Sequence, residues 1–255
     1  MTKKSGFTLI ELLVVIAIIA VLMSILMPAL NRAKKQARLV IDISNLHQWG
    51  LVWKYFTDDH KGFFDIGMGD WVGELEEYYR DDEILFCPEA TKMVRQGGRN
   101  PFAAWEDGSG PVYVGSYGLN MWVTKDESAA TSDVYNGTLR WKTPDAAGVA
   151  YAPLMVGCSL SGACTHHWDV PPEYDGQAWA GGDGNDRDEI RRFCMNRHNG
   201  YVSGAFLDYS ARKIGLKELW EIHWSKHWFR SNDSDLSVDR GKPIWPDWMT
   251  DFKDY

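Results

Sequence analysis

The sequence predicts an α+β protein in which one long N-terminal hydrophobic helix, a stalk, packs on a small antiparallel β-sheet body with long loops. Residues 7–27 form an almost unbroken apolar run, and residues 28–57 carry apolar side chains at steps of three and four. From residue 63 onward, short apolar runs alternate with stretches rich in Gly and Asp, without a sustained helical period. Hydrophobic residues make up 45% of the 255, which is enough to bury a core.

The apolar run is interrupted only by Thr8, Glu11 and Ser24. About 20 residues at a rise of about 1.5 Å each cross a bilayer core of about 30 Å, so the run is long enough to span a membrane. On hydropathy alone, a simple signal anchor explains it equally well. Glu11 argues for more, because a carboxylate inside an apolar helix costs about 2.5–3.5 kcal/mol on insertion and therefore normally has a function and a partner.

Charge divides the chain unequally. Residues 1–38 hold six of the 27 basic groups and one of the 35 acidic groups, which leaves 21 basic and 34 acidic groups, a charge of −13, in the remainder. So acidic a body repels phosphate backbones and predicts no nucleic-acid partner. Lys3 and Lys4 precede the apolar run and predict a cytoplasmic N-terminus with the body outside, although the basic residues that follow the run weaken this orientation (Arg32, Lys34, Lys35 and Arg38).

The second half of the stalk has the pattern of an amphipathic helix. Its apolar stripe consists of Leu39, Ile43, Leu46, Trp53 and Phe56, with Gly50 filling the gap. The polar residues assigned to the opposite, wet face are Lys34, Lys35, Gln36, Arg38, Asp42 and Gln48. A polar stretch ending in glycine, residues 58–62, predicts that the helix ends at about residue 57.

The stretch from Lys3 to Glu11, Lys-Lys-Ser-Gly-Phe-Thr-Leu-Ile-Glu, resembles the signal of type IV pilins and type II secretion pseudopilins. The resemblance implies that prepilin peptidase cuts between Gly6 and Phe7 and N-methylates Phe7. It also implies that Glu11 pairs with the new amino terminus of a neighbouring subunit. The expected segments are a leader at 1–6, a transmembrane stalk helix at 7–60 and a periplasmic or extracellular body at 61–255.

The function that this resemblance implies is structural and not enzymatic. The chain is expected to polymerise, with itself or other pilin-like subunits, at an inner-membrane secretion platform into a type II secretion-like filament. The alternative is a surface type IV pilin or adhesin assembled at a pilus platform, which could bind glycans through its tryptophans. Trp220, Trp224 and Trp228 recur every four residues, and the helical spacing favours burial over sugar stacking.

Several landmarks of the body resemble a group of pseudopilin-like proteins abundant in Planctomycetes. These landmarks are Asn45-Leu46, Tyr55, Gly62, Leu85-Phe86-Cys87-Pro88, Ser116-Tyr117-Gly118-Leu119-Asn120, Arg197-His198-Asn199-Gly200 and Phe206-Leu207-Asp208. Members of the group usually continue the last landmark with glycine and histidine, where this chain has Tyr209 and Ser210. The same region predicts strands at 113–120 and 148–156, and a hairpin formed by 200–207 and 211–215.

The four cysteines, Cys87, Cys158, Cys164 and Cys194, include no CxxC pair, so neither a zinc ribbon nor a thioredoxin-type motif is indicated. In an exported body an even count is compatible with two disulfides. Sequence leaves three pairings open. The short spacing of Cys158 and Cys164 favours a bond between them, and then one between Cys87 and Cys194.

An acidic loop at 181–189 offers oxygen ligands for calcium, so Asp183, Asn185, Asp186, Asp188 and Glu189 form a candidate site. The loop does not fit the EF-hand pattern, and a solvated acidic loop explains it as well. Otherwise no cofactor is expected. His223 and His227 would share a helical face, but the glutamate of a zinc-protease motif is missing between them, and no GxSxG, P-loop or dinucleotide-binding motif is present.

Overall fold

The computed structural model describes residues 9–67, 71–107, 112–125, 140–166, 169–177, 188–226, 228 and 244–255. Its α-helices are α1 (Leu9–Asp59) and α2 (Trp71–Glu74). Its strands are β1 (Lys92–Met93), β2 (Ala103–Asp107), β3 (Tyr113–Gly115), β4 (Tyr117–Asn120), β5 (Pro153–Gly157), β6 (Gly162–Ala163), β7 (Tyr201–Phe206) and β8 (Ala211–Gly215). Single-turn 3-10 helices occupy Glu76–Tyr78, Asp82–Leu85, Val94–Gln96, Met121–Val123, Val149–Tyr151, Glu189–Arg192, Lys217–Trp220 and Asp247–Met249.

The stalk is one helix of 51 residues that continues through Pro28. It ends where the sequence predicts, because the N–H of Gly62 donates to the carbonyl of Thr57 at 2.7 Å and Gly62 takes a left-handed φ of 82°. The chain divides into two compact units, Met1–Val40 and Ile41–Tyr255. The last five turns of α1 therefore belong to the same compact unit as the sheets.

Within the described residues, the body contains two small sheets. The three-stranded sheet has the order β1-β2-β3, and the five-stranded sheet has the order β6-β4-β5-β7-β8. Most neighbouring strands are antiparallel, but β1 pairs with β2 and β4 pairs with β6 in parallel. The α+β class is thus confirmed, whereas the single antiparallel sheet is corrected to two mixed sheets, because the two-residue strands β1 and β6 each add a parallel edge that their length hides in the sequence.

The predicted hairpin at the C-terminal side is confirmed as β7 and β8, which pair from Tyr201 with Gly215 to Ala205 with Ala211. The strand predicted at 113–120 is instead two strands in different sheets, β3 and β4, which separate at Ser116. The strand predicted at 148–156 begins later, since a 3-10 turn at Val149–Tyr151 precedes β5.

One face of α1 is built into the core of the body. Leu46, Trp53 and Phe56 are buried as their spacing predicts, and Trp49 joins them. The indole N–H of Trp49 donates to the carbonyl of Ile84 at 2.7 Å, so the one polar atom of this buried ring has a hydrogen-bond partner. The assignment of Asp42 to the wet face is wrong: its residue surface is 2% exposed. Asp42 lies three residues after Leu39 and four before Leu46, which is the buried stripe itself.

Gly50 marks the closest approach of the hairpin to α1. A Cβ built at Gly50 would lie 2.6 Å from the carbonyl oxygen of Tyr209, and the Tyr209 hydroxyl lies 2.7 Å from Oγ1 of Thr57. Tyr209 itself has a φ of 65°, a backbone conformation that costs least for glycine. The turn of the hairpin therefore packs on the helix backbone at a distance that only glycine permits.

We predict that Gly50→Ala destabilises the protein, although alanine favours a helix by about 1 kcal/mol over glycine. The new methyl group would lie 2.6 Å from a backbone carbonyl, so we expect the upper part of the usual overpacking cost, about 2–3 kcal/mol, and a net loss of about 1–2 kcal/mol. Thermal unfolding of the purified full chain measures it, with Ser44→Ala on the exposed side of α1 as control. A Gly50→Ala protein as stable as wild type would mean that the hairpin does not pack against α1 in this way.

Candidate functional site

The first part of α1 is apolar on all sides. Its large hydrophobic side chains from Leu9 to Met27 are exposed, and Leu9, Ile10 and Ile25 have 86%, 75% and 67% of their surfaces accessible. A helix that is hydrophobic all round is stable in lipid or between other apolar helices, but not in water. Among the described residues, α1 is the one helix whose length and composition suffice to cross a membrane.

Two polar side chains within this segment are described. The hydroxyl of Ser24 donates to the carbonyl of Val21 at 2.7 Å, so Ser24 satisfies its hydrogen-bonding group within its own helix. Glu11 lies in the first turn of α1, where a negative charge favours the helix dipole. Gly6 and Phe7, the predicted cleavage and methylation residues, lie outside the described residues, and their roles stay predictions.

The predicted calcium loop is described only at its end, because Asp183, Asn185 and Asp186 lie outside the described residues. Asp188 forms an ion pair with Arg191 at 3.2 Å, and Glu189 forms one with Arg192 at 3.1 Å. The Asp188 carboxylate also accepts the N–H of Val170 at 2.7 Å. These two carboxylates thus hold the loop to its neighbours, and the calcium site stays a prediction.

All four cysteines are free thiols in the structure. The expected bonds Cys158–Cys164 and Cys87–Cys194 are therefore not formed in it. The thiol of Cys87 instead faces His198, with 3.5 Å between Sγ and Nε2, and Cys194 is buried in the hydrophobic core. The pairing argument used sequence spacing and an even count, which say nothing about the direction in which each side chain points.

Four buried side chains form a polar cluster, which we call the buried polar cluster: Asp42, Cys87, Tyr117 and His198. Nε2 of His198 lies 2.9 Å from Oδ2 of Asp42, and the Tyr117 hydroxyl donates to Oδ1 of the same carboxylate. The N–H of Cys87 donates to the hydroxyl of Ser116. Asp42 comes from α1, Cys87 follows the turn at Asp82–Leu85, and His198 precedes β7, so three distant segments meet here.

The cluster is unsuited to nucleophilic catalysis. A Cys-His-Asp triad uses both ring nitrogens of histidine, one for the thiol and one for the carboxylate. Here the same nitrogen, Nε2 of His198, faces both Cys87 and Asp42. Burial, reinforced by the charge of Asp42, also raises the pKa of the Cys87 thiol well above its ordinary value, so the reactive thiolate is disfavoured.

Arg197, next to His198, ties the surroundings of the cluster together. Its guanidinium donates to the carbonyls of Pro101 at 2.9 Å, Ser116 at 2.6 Å, Ala103 at 3.2 Å and Cys158 at 2.9 Å. Ala103 opens β2, Ser116 lies between β3 and β4, and Cys158 follows β5. One buried side chain thus bridges the two sheets at the point where the chain passes from one to the other.

The sequence predicted a disulfide role for Cys87 and named the Arg197-His198 motif only as a landmark, and it did not identify Asp42 as their partner. The landmarks carry no information on which of them meet in space. The helical spacing of Asp42 on the apolar stripe was the signal that could have identified it, because a carboxylate on a buried face needs a partner.

The tryptophans near the C-terminus are largely core residues. Trp220, Trp224 and Trp228 are buried, and their indole N–H groups donate to the carbonyls of Asp169, Leu219 and Trp220. Their burial is as expected, but the reason given for it is wrong, since the helical turn here ends at Trp220. His223 lies beyond that turn beside Tyr151, and His227 lies outside the described residues.

Residues 1–27 match the protein family described as the prokaryotic N-terminal methylation motif. The match ends with the apolar segment of α1 at Met27 and includes Gly6, Phe7 and Glu11. No curated protein and no solved structure matches the chain. The likeness of the body to the Planctomycetes group is untested by this match and stays a prediction. The N-terminus of this chain is thus the methylation signal of type IV pilin-like proteins.

Proposed function

We propose that this pilin-like chain is a structural pseudopilin subunit that polymerises through α1 into a type II secretion-like filament. The observation that carries the proposal is the apolar first part of α1, exposed on every side, which coincides with the methylation motif at residues 1–27. An apolar helix joined to a folded body can be stored in a membrane and then transferred into a bundle of identical helices. Both environments remove the same surface from water.

The dimensions of the segment support storage in a membrane. From Leu9 to Met27 the helix is about 28 Å long at a rise of about 1.5 Å per residue, close to the thickness of a bilayer core. Lys3 and Lys4 precede the segment and, together with the methylation motif, support a single pass through the inner membrane with the N-terminus in the cytoplasm, although the four basic residues between Arg32 and Arg38 weaken the charge argument. The body would then lie in the periplasm or, after assembly, outside the cell.

The burial of the tryptophans favours this function over that of a glycan-binding surface adhesin. Sugar stacking needs an exposed aromatic face, whereas Trp220, Trp224 and Trp228 have 6%, 0% and 3% of their surfaces accessible. We therefore propose that the chain binds other filament subunits through its N-terminal helix and does not bind glycans through these tryptophans. Immunogold imaging of intact cells tests this choice, because long extracellular fibres that carry the protein would contradict a short filament of the secretion type.

Processing provides the direct test of the signal. Intact-mass analysis of the membrane form, from cells that express prepilin peptidase, should show the loss of Met1–Gly6 and one added methyl group at Phe7. A Gly6→Leu chain, which places a bulky side chain beside the cut, should keep its full-length mass in the same cells. A wild-type chain that keeps residues 1–6 where a known prepilin is processed would overturn the proposal.

A further inference from the structure

Three chemically different side chains of the buried polar cluster converge on one point. One carboxylate oxygen of Asp42, Sγ of Cys87 and Nε2 of His198 all lie within 4.8 Å of one another. The side chains of Asp42 and His198 are 2% and 3% exposed, and Cys87 is 1% exposed. Nε2 of His198 pairs with Asp42 at 2.9 Å and makes a weak contact of 3.5 Å with the Cys87 thiol, so three groups that commonly ligate metals face one another.

The two donor separations measured from Nε2 of His198 are close to those of a tetrahedral zinc ion, and the third, between Sγ of Cys87 and the Asp42 carboxylate, is at most 4.8 Å. With Zn–S of about 2.3 Å and Zn–N of about 2.0–2.1 Å, a sulfur and a nitrogen on adjacent corners lie about 3.5 Å apart. Sγ of Cys87 and Nε2 of His198 are already 3.5 Å apart. By the same geometry an oxygen and a nitrogen lie about 3.3 Å apart, so the carboxylate of Asp42, now 2.9 Å from Nε2, needs to move by only about 0.4 Å.

The donor set selects the class of metal. Thiolate, imidazole and carboxylate together suit zinc and similar divalent transition metals, whereas calcium and magnesium bind oxygen ligands. The surrounding hydrogen bonds are of the kind that orient metal ligands. The Tyr117 hydroxyl donates to Oδ1 of Asp42, Oδ2 of the same carboxylate faces Nε2 of His198, and the hydroxyl of Ser116 accepts the N–H of Cys87.

We propose that Asp42, Cys87 and His198 bind one zinc-type divalent ion, with water in the fourth position; Cys87 binds as the thiolate and releases its proton to solvent as the metal–sulfur bond forms. The ion would connect α1, through Asp42, to the two loops that carry Cys87 and His198. A metal that binds the folded chain better than the unfolded chain stabilises it, so the site would fix this part of α1 to the sheets independently of filament formation.

The experiment uses the full chain, purified in detergent with a tag free of histidine, dialysed against a chelator and then titrated with zinc or cobalt(II). We expect about one zinc per chain by elemental analysis and, with cobalt, the sulfur-to-metal charge-transfer absorption of a bound thiolate. Cys87→Ser and His198→Gln should each lose the stoichiometric ion. The matched control Cys194→Ser changes another buried cysteine in the same core and should bind as wild type does.

If a variant that lacks a ligand fails to fold, a milder variant that keeps all three ligands still tests the proposal. Tyr117→Phe removes only the hydroxyl that orients Asp42 and should lower zinc affinity by about 10- to 100-fold, with binding still saturable. Zinc should also raise the unfolding temperature of wild type and of Cys194→Ser but not of Cys87→Ser. Wild-type protein that binds no zinc, cobalt absorption that survives Cys87→Ser, or unchanged affinity in Tyr117→Phe would each overturn the proposal. None of these readouts requires polymerisation.

Discussion

The Arg197→Met variant is expected to have a markedly less stable body than the wild-type protein. The variant keeps most of the aliphatic stem of Arg197 but leaves the carbonyls of Pro101, Ala103 and Cys158 without their charged donor. Hydrogen bonds from a charged group contribute about 1.5–3 kcal/mol each, and a buried acceptor left without its donor costs about 1–3 kcal/mol. We expect a loss of about 3–5 kcal/mol.

Chemical and thermal unfolding of the full chain in detergent measure this loss, with Arg95→Met as matched control. Arg95 is an exposed arginine that pairs with Glu106 at 2.9 Å, and an exposed pair contributes at most about 1 kcal/mol. Arg197→Lys separates charge from shape, because an ammonium group cannot reach acceptors on three segments at once; it should lose nearly as much as Arg197→Met. Equal stability of the Arg197→Met and Arg95→Met proteins would show that Arg197 does not join the sheets.

The sequence predicted most reliably what depends on local pattern. The period of the apolar residues placed α1 and its buried stripe, and the polar stop at residues 58–62 placed its end. The hairpin of β7 and β8 followed from two alternating runs around a short turn. In each case neighbouring residues determine the structure by themselves, and so a single sequence suffices.

What the sequence did not predict depends on contacts between distant segments. Asp42 and His198 are 156 positions apart, and no pattern within either segment indicates their pairing. The break between β3 and β4 is similar, because Ser116, where the two strands separate, is held by hydrogen bonds from the distant residues Arg197 and Cys87. The edge strands β1 and β6, of two residues each, are too short for any periodicity to reveal.

The second large effect concerns Glu11 in the apolar part of α1. If the helix only anchors the protein, Glu11→Leu removes a costly carboxylate and leaves insertion unchanged or improved. If the helix assembles, the variant deprives the amino group of Phe7 of its partner in an apolar bundle. Loss of one member of a buried pair costs about 3–5 kcal/mol, which is more than roughly a hundredfold in an association constant. The lost helix-dipole term of about 0.3–1 kcal/mol is small beside it.

Two further variants separate charge from polarity. Glu11→Gln keeps the shape and hydrogen-bonding capacity of the side chain without its charge, and we expect it to assemble as poorly as Glu11→Leu. Ser24→Ala removes another polar group from the same apolar segment. Its hydroxyl donates within its own helix, to Val21, so Ser24→Ala should assemble as wild type does.

The yield of cross-linked polymer from cells with equal amounts of each chain in the membrane fraction tests the central claim most directly. The account predicts polymer from wild type and Ser24→Ala, and at least about a hundredfold less from Glu11→Leu and Glu11→Gln, with all four chains inserted and cut after Gly6. Equal polymer from wild type and Glu11→Leu would contradict the claim that this chain assembles through its N-terminal helix.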